Sequence, residues 1–164
     1  MIDFWKKTIW QQYGAAIDML ENAIAACPDD LWNGESKFWY NAYHALFFLD
    51  YHSSDDGATF MPPPPFTLSE MDPSGLMPNR VYSKDELLAY LEYGRNRCHD
   101  RIKQLTVENV EKTIPNNYKK DASQLEIYLN NIRHVQHHTA QLNLLIRQSG
   151  HEPPKWVARS KMPY

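Results

Sequence analysis

The residues best suited to chemistry in this chain are its histidines, three of which fall in one short segment. Seven histidines occur in the sequence, and His134, His137 and His138 lie together near the C-terminal end. On a helix, residues four apart are about 40° apart around the axis and about 6 Å apart along it. The rings of His134 and His138 can therefore reach one metal ion.

The direction of each ring follows from the helical rotation of about 100° per residue. The apolar positions around the pair define the buried face of the helix: Ile127, Val135, Leu142 and Leu145. His134 and His138 lie at or near this face, whereas His137 points well away from it. We expect His137 to be solvated or to lie beside the site without binding the ion.

A third ligand has to come from another element, and His44 is the best candidate. It lies in the aromatic segment Phe38–Asp50, where a histidine either is satisfied by a hydrogen bond or binds something. The inward-facing pair elsewhere in the chain favours binding. His52, two turns further on, is the alternative third ligand. We interpret His99 and His151 as surface residues.

Three neutral imidazoles would leave one coordination position of a metal ion open, which is typical of catalytic rather than structural sites. Nitrogen ligands favour Zn, Ni or Cu over Mg or Ca. The open position would suit water or a thiolate. No carboxylate lies one turn from His134 or His138, which argues against a di-iron bundle. The sequence contains no HExxH motif, which argues against a zincin protease.

The sequence does not identify a catalytic base. Tyr40 lies one turn before His44, and Gln141 lies next to His138, so each is a candidate to hydrogen-bond a bound molecule or to orient a ligand. Asp18 and Asp50 are further candidate bases without geometric support. The catalytic residues therefore stay unknown at this stage.

Four segments with helical periodicity must position these residues, and they predict an all-α four-helix bundle in a single domain spanning residues 1–164. The helices are expected at about 4–26, 37–52, 84–105 and 124–149. Asp3 and Ser36 are plausible N-caps of the first two helices. Ser83 and Ser123 each begin a capping-box pattern, and Gly150 suits the position after the last helix.

The connection between the second and third helices, residues 53–82, is far longer than bundle connections usually are. It contains a run of prolines, and we predict an ordered crossover that lets these two helices run parallel. A partly disordered linker is the alternative. We favour order because the segment holds apolar residues that need burial: Phe60, Met61, Phe66, Leu68, Met71, Leu76 and Met77.

Two motifs give the chain a family resemblance. The segments Phe38-Trp39-Tyr40-Asn41-Ala42-Tyr43-His44 and His134-x₃-His138-Thr139-Ala140-Gln141 resemble the DinB-like superfamily. The family's usual second motif reads H-x₃-H-R-G-Q, so Thr139-Ala140 departs from it beside the ligands. The resemblance implies an up-down-down-up bundle, three His ligands on Ni, Zn or a similar ion, and frequent homodimers. Some relatives transfer low-molecular-weight thiols or use them as cofactors, and others are described as metal-dependent hydrolases.

Composition limits the setting of the protein. The net charge of −3 gives no basic footprint for nucleic acid, and no apolar run is long enough for a membrane span. No signal peptide is recognisable, and Cys27 and Cys98 are expected to be free and buried, so we expect a cytoplasmic protein. The C-terminal tail, residues 151–164, carries Lys155, Arg159 and Lys161 and is expected to be solvated.

Two functions remain open from the sequence. The first is a metal-dependent enzyme, a thiol S-transferase or a hydrolase, that acts on a small molecule with Ni or Zn and with a low-molecular-weight thiol as a further cofactor. The alternative is a non-catalytic, metal-stabilised bundle that acts as an interaction module. A homodimer is expected in either case, from the resemblance and from the surplus of aromatic residues.

Overall fold

The computed structural model describes residues 1–113 and 122–164, and this part of the chain forms α-helices and no strand. The all-α prediction is thus confirmed for these residues. The helices are α1 (Ile2–Ala26), α2 (Asp29–Trp32), α3 (Phe38–His52), α4 (Lys84–Lys103), α5 (Val107–Val110) and α6 (Gln124–Gln148). The four predicted helices correspond to α1, α3, α4 and α6. None of the described helices is both long and apolar enough to cross a membrane.

The four long helices bury an aromatic core between them. Helix α1 packs against α4 and α6, and α3 also packs against α4 and α6. The largest fully buried side chains are mostly aromatic: Trp10, Tyr13, Phe38, Tyr43, Phe47, Tyr82, Tyr90 and Tyr128. Rings of this size remove much apolar surface from water, and they explain the aromatic surplus of the composition.

Helix α3 is apolar on nearly all sides because two long helices cover it. Only Tyr40, Asn41, His44 and His52 in α3 are less than fully buried. Tyr40, His44 and His52 lie at intervals of four or eight residues, and Asn41 lies beside them, so they form one narrow stripe along the helix. This stripe is where α3 offers polar groups to other parts of the molecule.

The helix ends agree only partly with the predicted caps. The Ser83 capping box is present, with the Ser83 hydroxyl 3.2 Å from the backbone nitrogen of Glu86. Gly150 has a positive φ of 85° after α6, as predicted. Asp3 is not an N-cap, because α1 begins at Ile2 and Asp3 lies in its first turn. The prediction that Ser36 caps the second helix is also wrong, because Lys37 is the residue that immediately precedes α3.

The connection between α3 and α4, residues 53–83, is anchored by Phe66. Its ring stacks on Tyr90 at a centroid distance of 4.2 Å and on Tyr43 at 5.9 Å. The Tyr43 hydroxyl donates a hydrogen bond to the carbonyl oxygen of Thr67 at 2.9 Å. A 3₁₀ turn, Leu68–Met71, follows directly. The connection is therefore held to α3 just before this turn.

The predicted burial of the apolar residues in this connection holds only for some of them. Phe60 and Phe66 are buried, and Met71 and Met77 pack against the core as partly buried side chains. The prediction is wrong for the others, because Met61, Leu68 and Leu76 are exposed. Two buried aromatic side chains and two partly buried methionines thus hold a segment that also exposes three apolar side chains.

The C-terminal tail lies against α1 rather than extending into water. The backbone nitrogen of Lys161 donates to Asp18 Oδ2 at 2.7 Å, and the Trp10 indole donates to the Met162 carbonyl at 2.9 Å. The backbone nitrogen of Ser160 donates to the carbonyl of Gln11 at 3.0 Å. The expectation of a solvated tail is therefore wrong for its backbone, although the Lys155, Arg159 and Lys161 side chains are exposed.

Candidate metal centre

Helices α3 and α6 bring three histidine rings together. His44, His134 and His138 each offer a nitrogen atom, and these three atoms all lie within 4.8 Å of one another. The ring centroids are 5.3 Å apart for His44 and His134, 4.6 Å for His44 and His138, and 4.5 Å for His134 and His138. Three nitrogen atoms at such separations can hold one metal ion.

The local structure explains this convergence. His134 and His138 lie one turn apart on α6, and His44 lies on the polar stripe of α3 that faces them. Phe48, one turn after His44, packs its ring against His44 at 4.9 Å and against His134 at 5.3 Å. The cluster is thus closed on one side by an apolar ring. The cluster is not fully enclosed, because the His44 side chain is 30% exposed.

Two of the three rings are oriented by hydrogen bonds at Nδ1. His44 Nδ1 lies 2.6 Å from Glu70 Oε2, and His138 Nδ1 lies 2.8 Å from Asn41 Oδ1. The Asn41 amide nitrogen donates to Gln141 Oε1 at 3.5 Å, which leaves its carbonyl oxygen for His138. Because a carbonyl oxygen can only accept, a neutral His138 ring carries its proton on Nδ1 and its lone pair on Nε2.

The third ring provides a test of whether a metal ion fits. His134 Nδ1 is buried and has no hydrogen-bond partner within residues 1–113 and 122–164. A buried nitrogen without a partner costs free energy unless something binds it. A coordinate bond formed at Nδ1 would satisfy this atom, so the donor set fits a nitrogen-preferring metal.

The protonation of the cluster also suits a cation. Burial, and then the neighbouring His138 and His44, lowers the pKa of His134 to about 3. Burial, and then His44 and His137, lowers the pKa of His138 to about 4. Both rings are therefore neutral near pH 7, and their lone pairs are available without the release of a proton.

The other sequence candidates take different places. Tyr40 lies near Glu70, and burial together with this carboxylate raises the Tyr40 pKa to about 12, so the hydroxyl keeps its proton at neutral pH. Gln141 reaches His138 through Asn41 and also contacts His137 at 3.2 Å. His137 is exposed, as predicted. His52, the alternative third ligand, lies outside the group of three converging histidines.

Three further interpretations of the sequence need correction or reassignment. His99 is buried against the Trp10 ring, with centroids 4.3 Å apart, so its assignment to the surface is wrong, whereas His151 is exposed. Asp50 is buried and binds Arg97 at 2.8 Å and Tyr90 at 3.1 Å. Asp18 is buried in an ion pair with Arg95. Neither carboxylate belongs to the histidine cluster, so neither has geometric support as its base.

Glu70 is the residue that sequence reasoning missed. It is 26 positions from His44 and lies in the 3₁₀ turn of an irregular connection, where no helical spacing relates it to the histidines. The only signal in the sequence was the apolar content of the connection, which predicted order. That signal does not indicate which polar side chain of the connection would be turned inward.

Comparison with known protein families agrees with the two motifs. Residues 8–142 match the family model described as the DinB superfamily. The chain belongs to the DinB superfamily. The DinB match runs from the first turns of α1 to the second half of α6, so it includes all three converging histidines together with Asn41 and Glu70. No match was found among curated proteins or among solved structures.

Proposed function

We propose that this DinB protein is a metal-dependent enzyme that acts on a small molecule, either transferring a low-molecular-weight thiol or hydrolysing a bond. The observation that carries the proposal is the convergence of His44, His134 and His138 within 4.8 Å on the open polar stripe of α3. Sites of three neutral imidazoles with an accessible side are typical of catalytic metals.

Each side chain has a distinct part in this proposal. His44, His134 and His138 hold the ion, while Asn41 orients the His138 ring through its hydrogen bond at Nδ1. An ion held in this way supplies Lewis acidity, which polarises a bound carbonyl or lowers the pKa of a thiol or water. The Tyr40 hydroxyl, one turn before His44, lies beside Glu70 and keeps its proton at neutral pH, so it adds a neutral polar group next to the proposed ion.

The proposal extends to features that rest on the family resemblance. Ni or Zn is the proposed ion, since three imidazole nitrogens suit both. The proposed topology is an up-down-down-up four-helix bundle, with the connection between α3 and α4 as a crossover. This is supported by the packing of α1 and α3 each against α4 and α6. A cytoplasmic homodimer completes the proposal.

The direct test is the metal content of protein purified without an affinity tag. We expect about one Ni or Zn per chain by ICP mass spectrometry, and we expect His44→Ala and His138→Ala to lose it. His137→Ala is the matched control, because His137 precedes His138 on the same helix but is exposed. Wild-type protein with less than about 0.2 metal per chain, after incubation with Ni and Zn, would remove the basis of the proposal.

Turnover separates the enzyme from its non-catalytic alternative. We expect metal-loaded protein to convert an electrophile in a screen with small thiols, or to hydrolyse a small ester or amide, and His138→Ala to be inactive. The alternative predicts a different result: the protein shows no turnover and no thiol binding, and a chelator lowers its melting temperature. That result would indicate a metal that only stabilises the fold.

A further inference from the structure

We propose that Glu70, carried by the connection between α3 and α4, is a positioning residue that fixes the tautomer of His44 and makes this connection part of the metal centre. The inference rests on the proposed function for the metal itself. The contact between Glu70 and His44 stands independently of any ion, and it can be tested in metal-free protein.

The environment of Glu70 is unusual for a carboxylate. Its side chain is only 3% exposed, and Oε2 lies 2.6 Å from His44 Nδ1. The other oxygen, Oε1, is buried and has no hydrogen-bond partner in the described parts of the chain. The Tyr40 hydroxyl also lies beside this carboxylate, and burial together with the carboxylate raises the pKa of Tyr40. Burying a carboxylate costs free energy unless donors or cations compensate it, and a cation in the adjacent cluster would add to this compensation.

The connection is anchored so that it delivers this carboxylate to one place. Phe66 is inserted among Tyr43, Tyr82 and Tyr90, and the Tyr43 hydroxyl binds the Thr67 carbonyl. Three residues after Thr67, Glu70 meets His44, which directly follows Tyr43 on α3. Two adjacent residues of α3 thus hold two nearby points of the connection, which limits the positions that the Glu70 carboxylate can take.

The chemical effect follows from the acceptor at Nδ1. A neutral imidazole carries its proton on one nitrogen only, and a carboxylate can only accept, so Glu70 selects the Nδ1–H form of His44. The lone pair of Nε2 is then available for an ion. A carboxylate beside the ring also offsets part of the charge of a divalent cation.

The contact is tested first in metal-free protein at pH 8 by ¹H–¹⁵N NMR of histidine-labelled samples. We expect His44 to be protonated on Nδ1 in the wild type and in Glu70→Gln, whose amide oxygen still accepts. We expect Glu70→Ala to lose this fixed tautomer. Asp72→Asn is the control, since it removes a charge two residues away that is bonded to Ser74 and not to a histidine. A wild-type His44 protonated on Nε2, or a Glu70→Ala spectrum unchanged from the wild type, would overturn the inference.

The consequence for the ion is tested by competition for Zn²⁺ with a chromophoric chelator. We expect Glu70→Ala to weaken zinc binding by about 10- to 100-fold. Glu70→Gln should lose less, because it keeps the acceptor and removes only the charge, and Asp72→Asn should bind as the wild type does. If Glu70→Ala does not fold, as judged by circular dichroism, the loss measured for Glu70→Gln decides the question.

The outcomes separate this inference from the proposed function. Equal zinc affinity of wild type, Glu70→Ala and Glu70→Gln would overturn the role of Glu70 and leave a three-histidine site intact. A wild-type protein that binds neither Zn nor Ni would overturn the proposed function, while the NMR measurement in metal-free protein would still support or overturn the contact between Glu70 and His44.

Discussion

Asn41 acts on His138 at the scale of a single hydrogen bond. Its carbonyl oxygen lies 2.8 Å from His138 Nδ1 and accepts a hydrogen bond from the neutral ring. We expect Asn41→Leu, which has nearly the same size and no acceptor, to weaken zinc binding by about 10- to 100-fold in a chelator competition. Asn41→Asp should restore tight binding, because it again presents an oxygen.

Asn96→Leu is the matched control for this prediction. Asn96 also donates a side-chain hydrogen bond, to Glu92 at 3.1 Å, but it is exposed on α4. Its replacement should leave zinc affinity unchanged. An Asn41→Leu protein that binds zinc as tightly as the Asn96→Leu protein would contradict a role of Asn41 in orienting the ring.

Individual residues were predictable where helical spacing governs them. The spacing of His134 and His138 and the aromatic segment around His44 were sufficient to predict which three rings converge. His99 was not predictable in this way, because α4 packs against both α1 and α3 and so buries a wider arc than its apolar stripe suggests. Glu70 was not predictable because its position depends on how Phe66 anchors an irregular segment.

At the scale of elements, α1 and the C-terminal tail fit each other at Gly14. A Cβ atom added to Gly14 would lie 2.6 Å from Ser160 Cβ, which is too close. Alanine normally stabilises a helix interior by about 1 kcal/mol relative to glycine. Here we expect Gly14→Ala to lower the free energy of unfolding by about 1–3 kcal/mol, because it displaces the tail. Urea denaturation measures this change.

The partner substitution Ser160→Gly tests the cause. It removes the side chain that an alanine at position 14 would strike, so Gly14→Ala should be neutral or stabilising in the Ser160→Gly background. The difference between the two backgrounds is the coupling energy of the pair. An equal loss in both would mean that the tail is not what makes glycine necessary.

The four long helices and some of their ends were predictable from sequence, because periodicity and capping boxes are local. The Ser83 capping box and Gly150 are examples. The docking of the tail was not, because it depends on backbone groups, such as the Lys161 nitrogen on Asp18, that every sequence carries. The charged side chains of the tail predicted exposure to solvent, and these side chains are exposed. The tail backbone, however, lies against α1.

At the scale of the whole molecule, the buried histidines make stability depend on pH. Burial lowers the pKa of His52 to about 4, and the pKa values of His134 and His138 are about 3 and about 4. In the unfolded chain histidines take up protons near pH 6.5. Between about pH 6.5 and 4 the unfolded chain therefore binds more protons, and the free energy of unfolding of metal-free protein should fall as the pH falls.

Urea denaturation of metal-free protein between pH 7.5 and 5 measures this dependence. Each histidine that is protonated only on unfolding contributes a slope of at most about 1.4 kcal/mol per pH unit. We expect His134→Gln to reduce the slope and His151→Gln, an exposed control, to leave it unchanged. A His134→Gln protein with the wild-type slope would contradict the low pKa of this ring.

The all-α class follows from the sequence because periodicity is repeated over many residues, whereas the packing partner of each face emerges only from the assembled molecule.

Helix α3 shows what this assembly implies for sequence divergence. With every position buried except Tyr40, Asn41, His44 and His52, this helix has almost no ordinary surface on which mutations can accumulate silently. A substitution in α3 alters either the interior or the polar stripe at the histidines, so folding and the candidate metal centre constrain the same short stretch of the chain.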